Sequence, residues 1–226
     1  MESNIIPSMK DTLFNPVSEN MKDSLIEIAE LGLDAVLRDG VLKDIPILGT
    51  IAAFCKTRVA LQERNLIRQT AVFITSFNDG TIPQEKLIEY RQALESNPKK
   101  AEKELGRVML LLERILEEKQ SHILGRFYNA YVRGALTWGK FVELSEVNLR
   151  MFLSDYKELE SINRKPIEQR EDVSDRRLYK IQRLESLGLV MENSTRLFEG
   201  NTLSYSNSEY RFNTTPLGCT FVSMMR

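Results

Sequence analysis

The chain has 226 residues, 42% of them apolar and 28% charged, with a formal net charge of −1. These proportions fit one large folded domain, or a medium domain with an appendage, and exclude a long disordered or low-complexity chain. A charge so close to neutral supplies no global field toward nucleic acid or anionic lipid, so either partner would need a local patch.

Residues 1–19 are polar, with scattered apolar residues and two prolines, and are expected to form a loosely held arm. They show no basic segment followed by an apolar one, so no signal peptide is expected. Cys55 and Cys219 belong to no CxxC pair. Both are expected to be buried free thiols, a usage that fits a reducing cytoplasm. From Asn20 to Gly40, the residues Met21, Leu25, Ile28, Gly32 and Val36 recur at helical spacing, with Asn20 as the cap and Gly40 as a left-handed stop.

The stretch "DIPILGTIAAFCKTR" (44–58) is uncharged between Asp44 and Lys56. It is too short to span a bilayer and has the length of a buried or interfacial helix. Gly49 and Ala53, four apart, permit close helix approach. A core helix is the favoured reading. If the stretch instead faces an oligomeric partner or a membrane surface, Ile47, Leu48, Ile51 and Phe54 are the candidate contacts. The helix is expected to continue to about Phe77.

In "DGTIPQEKLIEY", Asp79 and Gly80 make a turn, and Thr81 and Gln84 have capping-box spacing. Asn97 then caps, and Pro98 opens, a long helix expected as far as Gly134, about 55 Å if unbroken at roughly 1.5 Å per residue. Its stripe passes through Leu105, Val108, Leu112 and Ile115, then drifts to Leu116, Ile123 and Phe127. Such drift marks the 3.6-residue period of a globular helix. Near its end, Phe127 and Tyr131 read as core, while Tyr128 and Arg133 are candidate partner anchors. Thr137 caps a further helix in which Phe141, Leu144, Leu149, Phe152, Tyr156 and Leu159 share one face and Trp138 plugs the start. Residues 20–160 are therefore expected to form a helical bundle.

The pattern changes after "NRKPIEQRED". Ser174 can cap "DRRLYKIQRLESLGLV", with Leu178, Ile181, Leu184 and Leu187 inward and Gly188 at the end. A strand "LVMEN", a polar loop, a strand "EYRFNTT" and a short helix capped by Thr215 follow. This order over residues 174–226 resembles the second half of a winged-helix domain, although the usual upstream helix-turn pair is missing. The resemblance implies that the first of these helices is a recognition helix and the loop a wing. Arg176, Lys180 and Arg183 lie at i, i+4 and i+7, with Arg177 beside them. They are the candidate contacts to phosphates or to a partner, and an intra- or intermolecular protein contact is the favoured reading. Glu171, Asp172 and Asp175 crowd the helix start, where they favour the helix dipole and repel DNA.

The whole chain also resembles uncharacterised bacterial proteins similar to the abortive-infection alpha group, which pair a helical body with an "LGL…TPLG"-type ending. That likeness implies a place in phage defence and no mechanism.

No catalytic or metal-binding residue emerges. His122 is the only histidine, and no Cys or carboxylate stands at ligand spacing from it. There is no phosphate-binding glycine loop and no nucleophile elbow, and no cofactor is expected. The sequence thus predicts a mainly α protein, a helical bundle (20–160) followed by a small winged-helix-like α+β segment (161–226). The expected role is a non-enzymatic interaction module of the bacterial cytoplasm, with antiphage defence as its setting. A protein partner or self-association is expected first. DNA and a membrane surface are the alternatives.

Overall fold

A computed structural model describes residues 4–14, 45–54, 61–168, 173–193 and 211–225, apart from the side chains of Phe54, Asp175, Arg176, Asn193 and Arg211. The helix expected over 20–40, Cys55, and the loop between the two expected strands lie outside the described residues. The described part is mainly helical with one small antiparallel sheet. The chain divides into two compact units, Met1–Leu149 and Arg150–Arg226.

The first unit contains α1 (Ile5–Phe14), α2 (Pro46–Phe54), α3 (Leu61–Phe77), α4 (Gln84–Ser96), α5 (Pro98–Arg114), α6 (Glu118–Val132) and α7 (Trp138–Arg150). The expected loose arm is corrected by α1, which buries Met9, Leu13 and Phe14. Two polar contacts fix it to α2. Ser8 Oγ bonds Thr50 Oγ1 at 2.7 Å, and the Ile47 backbone N–H donates to Thr12 Oγ1 at 3.1 Å. The expected apolar stretch fills the same core, with Ile45, Ile47, Leu48 and Ile51 all buried.

The long helix predicted from Pro98 is broken. At Ile115 the backbone becomes extended, with φ −83° and ψ 133°. The carbonyls freed by the break are taken up from α3: Asn65 Nδ2 donates to Ile115 O at 2.6 Å and Gln69 Nε2 to Leu116 O at 3.2 Å. Ser121, in the first turn of α6, donates to Gln69 Oε1 at 2.7 Å. A partly buried polar ladder therefore replaces the missing helical hydrogen bonds of the break. Leu116, assigned to the stripe, is exposed instead. The break re-aims α6 so that Ile123, Leu124, Phe127 and Tyr128 are buried.

Helices α3 and α6 form the centre of this unit. Gly125 is the reason they approach so closely: a Cβ there would lie 2.7 Å from Phe73 O and 2.7 Å from Ser76 Cβ. Around the pair runs an aromatic core of Phe73, Phe77, Tyr128 and Phe141, with Tyr128 5.6 Å from Phe77 and 5.5 Å from Phe141 between ring centroids. Asn97 and Thr137 cap α5 and α7 as the sequence predicts, accepting from Lys100 N and Lys140 N. The capping box predicted for α4 does not form. Thr81 turns to Asp79 Oδ1 with both its backbone N–H and its hydroxyl.

The second unit contains α8 (Leu153–Arg164), α9 (Asp175–Ser186), β1 (Val190–Asn193), β2 (Arg211–Thr214) and α10 (Pro216–Met225). The helix predicted from Trp138 onward ends at Arg150, and α8 starts afresh after Phe152, whose backbone N–H donates to Asp155 Oδ2 at 2.9 Å. β1 and β2 pair antiparallel with Val190 opposite Thr214 and Asn193 opposite Arg211. Ile167 adds an isolated bridge to Phe212. Gly188 ends α9 at φ +72°, and Thr215 caps α10 by accepting from Gly218 N at 3.0 Å. The core of this unit is Leu159, Ile162, Ile181, Leu184, Phe212, Phe221 and Val222. Cys219, expected to be buried, is exposed, with its Sγ 3.2 Å from Thr214 Oγ1.

Candidate functional site

The basic helix predicted from the sequence is α9, and its charges are largely engaged within the second unit. Arg183 Nε donates to Asp155 Oδ2 at 2.8 Å and its Nη2 donates to Asp155 Oδ1. Arg177 Nε donates to Glu158 Oε1 at 2.6 Å. Both carboxylates sit on α8, so the i, i+4, i+7 stripe is partly an internal seam. Lys180 is half-buried, and the Arg176 side chain lies outside the described residues.

Above that seam lies a ledge the sequence reading missed. Phe152 is 63% exposed, Leu153 51% and Tyr179 50%. The Arg183 guanidinium stands 4.5 Å from the Phe152 ring centroid and 5.7 Å from that of Tyr179. Two aromatic rings thus flank a cation whose orientation is fixed by Asp155, and Leu153 is exposed next to Phe152 in the chain. Apolar spacing along a continuous helix from Trp138 places Phe152 on the inner face. The break before α8 turns it outward. The signal was Asp155, three residues after Phe152, at the spacing of a carboxylate that closes a helix start.

The other predicted contacts are placed differently. Ile47, Leu48 and Ile51 are buried in the first unit and present no surface to lipid or partner, and the Phe54 side chain lies outside the described residues. Tyr128 is no surface anchor either, because it is fully buried. Its hydroxyl is 3.1 Å from that of Tyr90, which donates in turn to Glu104 Oε2. Tyr131 donates to Glu104 Oε1 at 2.9 Å. Glu104 is a buried carboxylate satisfied by two phenols, a pattern no spacing rule reveals. Burial raises the pKa of Tyr90, Tyr128 and Tyr131 above the ordinary phenol value, and their hydrogen bonding to Glu104 adds to the rise at Tyr90 and Tyr131. Arg133 is half-buried, and its Nε has no hydrogen-bond partner among the described residues.

The sole histidine lies at the α3–α6 seam, its Nδ1 2.8 Å from Ser76 Oγ. An open groove of about 890 Å³ separates the start of α1 from the outer face of α5, lined among others by Ile5, Ile6, Met109 and Leu110. Among the described residues no group of three or more His, Cys, Asp or Glu side chains is placed to hold a metal ion. No described helix is long and apolar enough to cross a membrane. Among family models, curated proteins and solved structures, nothing matches this chain.

Proposed function

We propose that the protein is an interaction module that docks a protein partner on the Phe152–Leu153–Tyr179 ledge around Arg183. The observation that carries this reading is the exposure of Phe152 and Tyr179 on either side of a pre-oriented guanidinium, with Leu153 exposed next to Phe152 in the chain. Aromatic residues and arginine dominate the binding energy of protein interfaces. An arginine already held by Asp155 loses little further freedom on binding, which favours affinity.

The DNA-binding alternative draws on the order helix, bridge, helix, hairpin, helix in the second unit, which resembles a winged helix without its first helix-turn member. Against it stand the pairing of Arg177 and Arg183 with α8 carboxylates. Paired guanidiniums offer less charge to phosphates. A setting in phage defence rests on the sequence resemblance alone.

The test is a double variant, Phe152→Asp with Tyr179→Asp, compared with wild type by sedimentation velocity and by crosslinking mass spectrometry in the expressing bacterium. Crosslinks from the ledge to one protein, or a self-associated species, that vanish in the folded double variant support the reading. Association unchanged by the variant, or DNA retained by the wild type at moderate salt, overturns it.

A further inference from the structure

His122 sits at the close contact of α3 and α6. Its ring is half-buried between α3 and α6, one turn before Gly125, where the two helices are in backbone contact. Ser76 Oγ is 2.8 Å from Val72 O and 2.8 Å from His122 Nδ1. A hydroxyl has one proton to give. Donation to Val72 O obliges Ser76 to accept from Nδ1–H, which leaves the neutral ring with its lone pair on Nε2.

The charged groups acting on the ring are Lys119 and Arg126 on its own helix and Asp79 in the turn after α3. Asp79 is already committed, since its Oδ1 accepts from Thr81 and from Asn129 Nδ2 and its Oδ2 lies 3.8 Å from Arg126. Arg68 of α3 and Glu118 of α6 pair with each other across the same two helices. Helix α4 meets α6 through Tyr90, which turns to Glu104 and Tyr128 rather than to the imidazole. A second proton on His122 would therefore enter a half-buried seam beside two cations, with Asp79 and Glu118 both engaged elsewhere.

We infer that His122 is a proton-sensitive element of the α3–α6 seam: a proton added at Nε2 leaves the Nδ1–H bond to Ser76 in place but sets a positive charge into the half-buried contact of the two helices, and that charge loosens the seam. Burial first, and Lys119 and Arg126 next, hold its pKa below the ordinary imidazole value. The unfolded chain then takes up this proton before the folded one. The stabilisation is complete above the unfolded midpoint near 6.5 and falls as pH drops toward the folded midpoint, by about tenfold in the folded-to-unfolded ratio per pH unit inside that window.

As the sole histidine, it can be read directly by its ring proton resonances. NMR titration of the wild type should give a midpoint below about 6.5, and amide exchange in α3 and α6 should accelerate as pH falls from 7.5 to 5. His122→Asn keeps an N–H near the Nδ1 position and cannot take up a proton, so its stability should lose that slope. A midpoint at or above the ordinary value overturns the inference, as does a pH slope shared by wild type and variant. If the variant does not fold, the wild-type titration and exchange decide alone.

Discussion

Arg183 holds Asp155 with two parallel N–H···O bonds, and Asp155 is completely buried. The same carboxylate receives the Phe152 backbone N–H at 2.9 Å, so one buried side chain both starts α8 and ties it to α9. Removing only the cation would strand a desolvated charge. Arg183→Ala should therefore destabilise the second unit by about 3–5 kcal/mol, whereas the double replacement Arg183→Leu with Asp155→Leu should recover most of that loss. Urea melts followed by circular dichroism measure both. A single-variant loss under about 1 kcal/mol, the scale of an exposed pair, would mean that water screens the contact.

Gly125 sets the spacing of α3 and α6. In Gly125→Ala the new methyl would meet Phe73 O and Ser76 Cβ at 2.7 Å. Much of what it meets is backbone, so the helices must move apart. A loss of about 1–3 kcal/mol is expected, the usual scale of overpacking. A melting temperature equal to or above that of wild type would show that the seam has slack.

Ile51 is buried on α2. Ile51→Asp should unfold the first unit or force the new carboxyl to remain protonated well above the ordinary range, because a lone carboxylate in an apolar interior is very costly. Circular dichroism at pH 7 and pH 4 distinguishes the outcomes: a protonated, tolerated side chain restores helicity on acidification. Full helicity and unchanged melting at neutral pH would contradict the burial of α2.

Tyr90, Tyr128 and Tyr131 all have raised pKa values, with burial as the first cause. For an acid whose folded pKa lies above its unfolded one, stability is intact below the unfolded pKa and falls as pH rises beyond it. The first unit should thus lose stability above about pH 10, the ordinary phenol midpoint. Absorbance at alkaline pH should show exposed tyrosines ionising reversibly and these three ionising together with loss of helicity. Tyr131→Phe, which removes one donor to Glu104, should cost about 1.5–3 kcal/mol, as expected for a hydrogen bond to a charged group. Early ionisation of every tyrosine in a chain that keeps its helices would refute the account.

Local chemistry determined much of this protein by itself. The apolar spacing that predicts helices over α3, α5 and α9 requires only that one face of each be buried. Asn97, Thr137, Thr215 and Gly188 mark element ends because capping and left-handed turns depend on a few neighbouring residues. The uncharged stretch around Ile47 and Leu48 read as core because burial is where such a run is most stable.

What only the tertiary structure decided are the contacts between distant residues. Helix continuity predicts no break at Ile115, since the side chains that make the break tolerable, Asn65 and Gln69, lie on another helix. The break before α8 likewise depends on Asp155, whose charge is balanced by Arg183 far along the chain. That one break turns Phe152 from a core residue into an exposed one. Tyr128 moved the opposite way, because Tyr90 and Tyr131 reach Glu104, and Tyr128 reaches Tyr90, only once α4, α5 and α6 are packed. The arginines of α9 share a face by spacing alone, and whether that face meets phosphates or a carboxylate of this chain stays open in the sequence for the same reason. Sequence spacing places side chains on one side of a helix, but which charges oppose them is settled by the neighbour that the fold brings up.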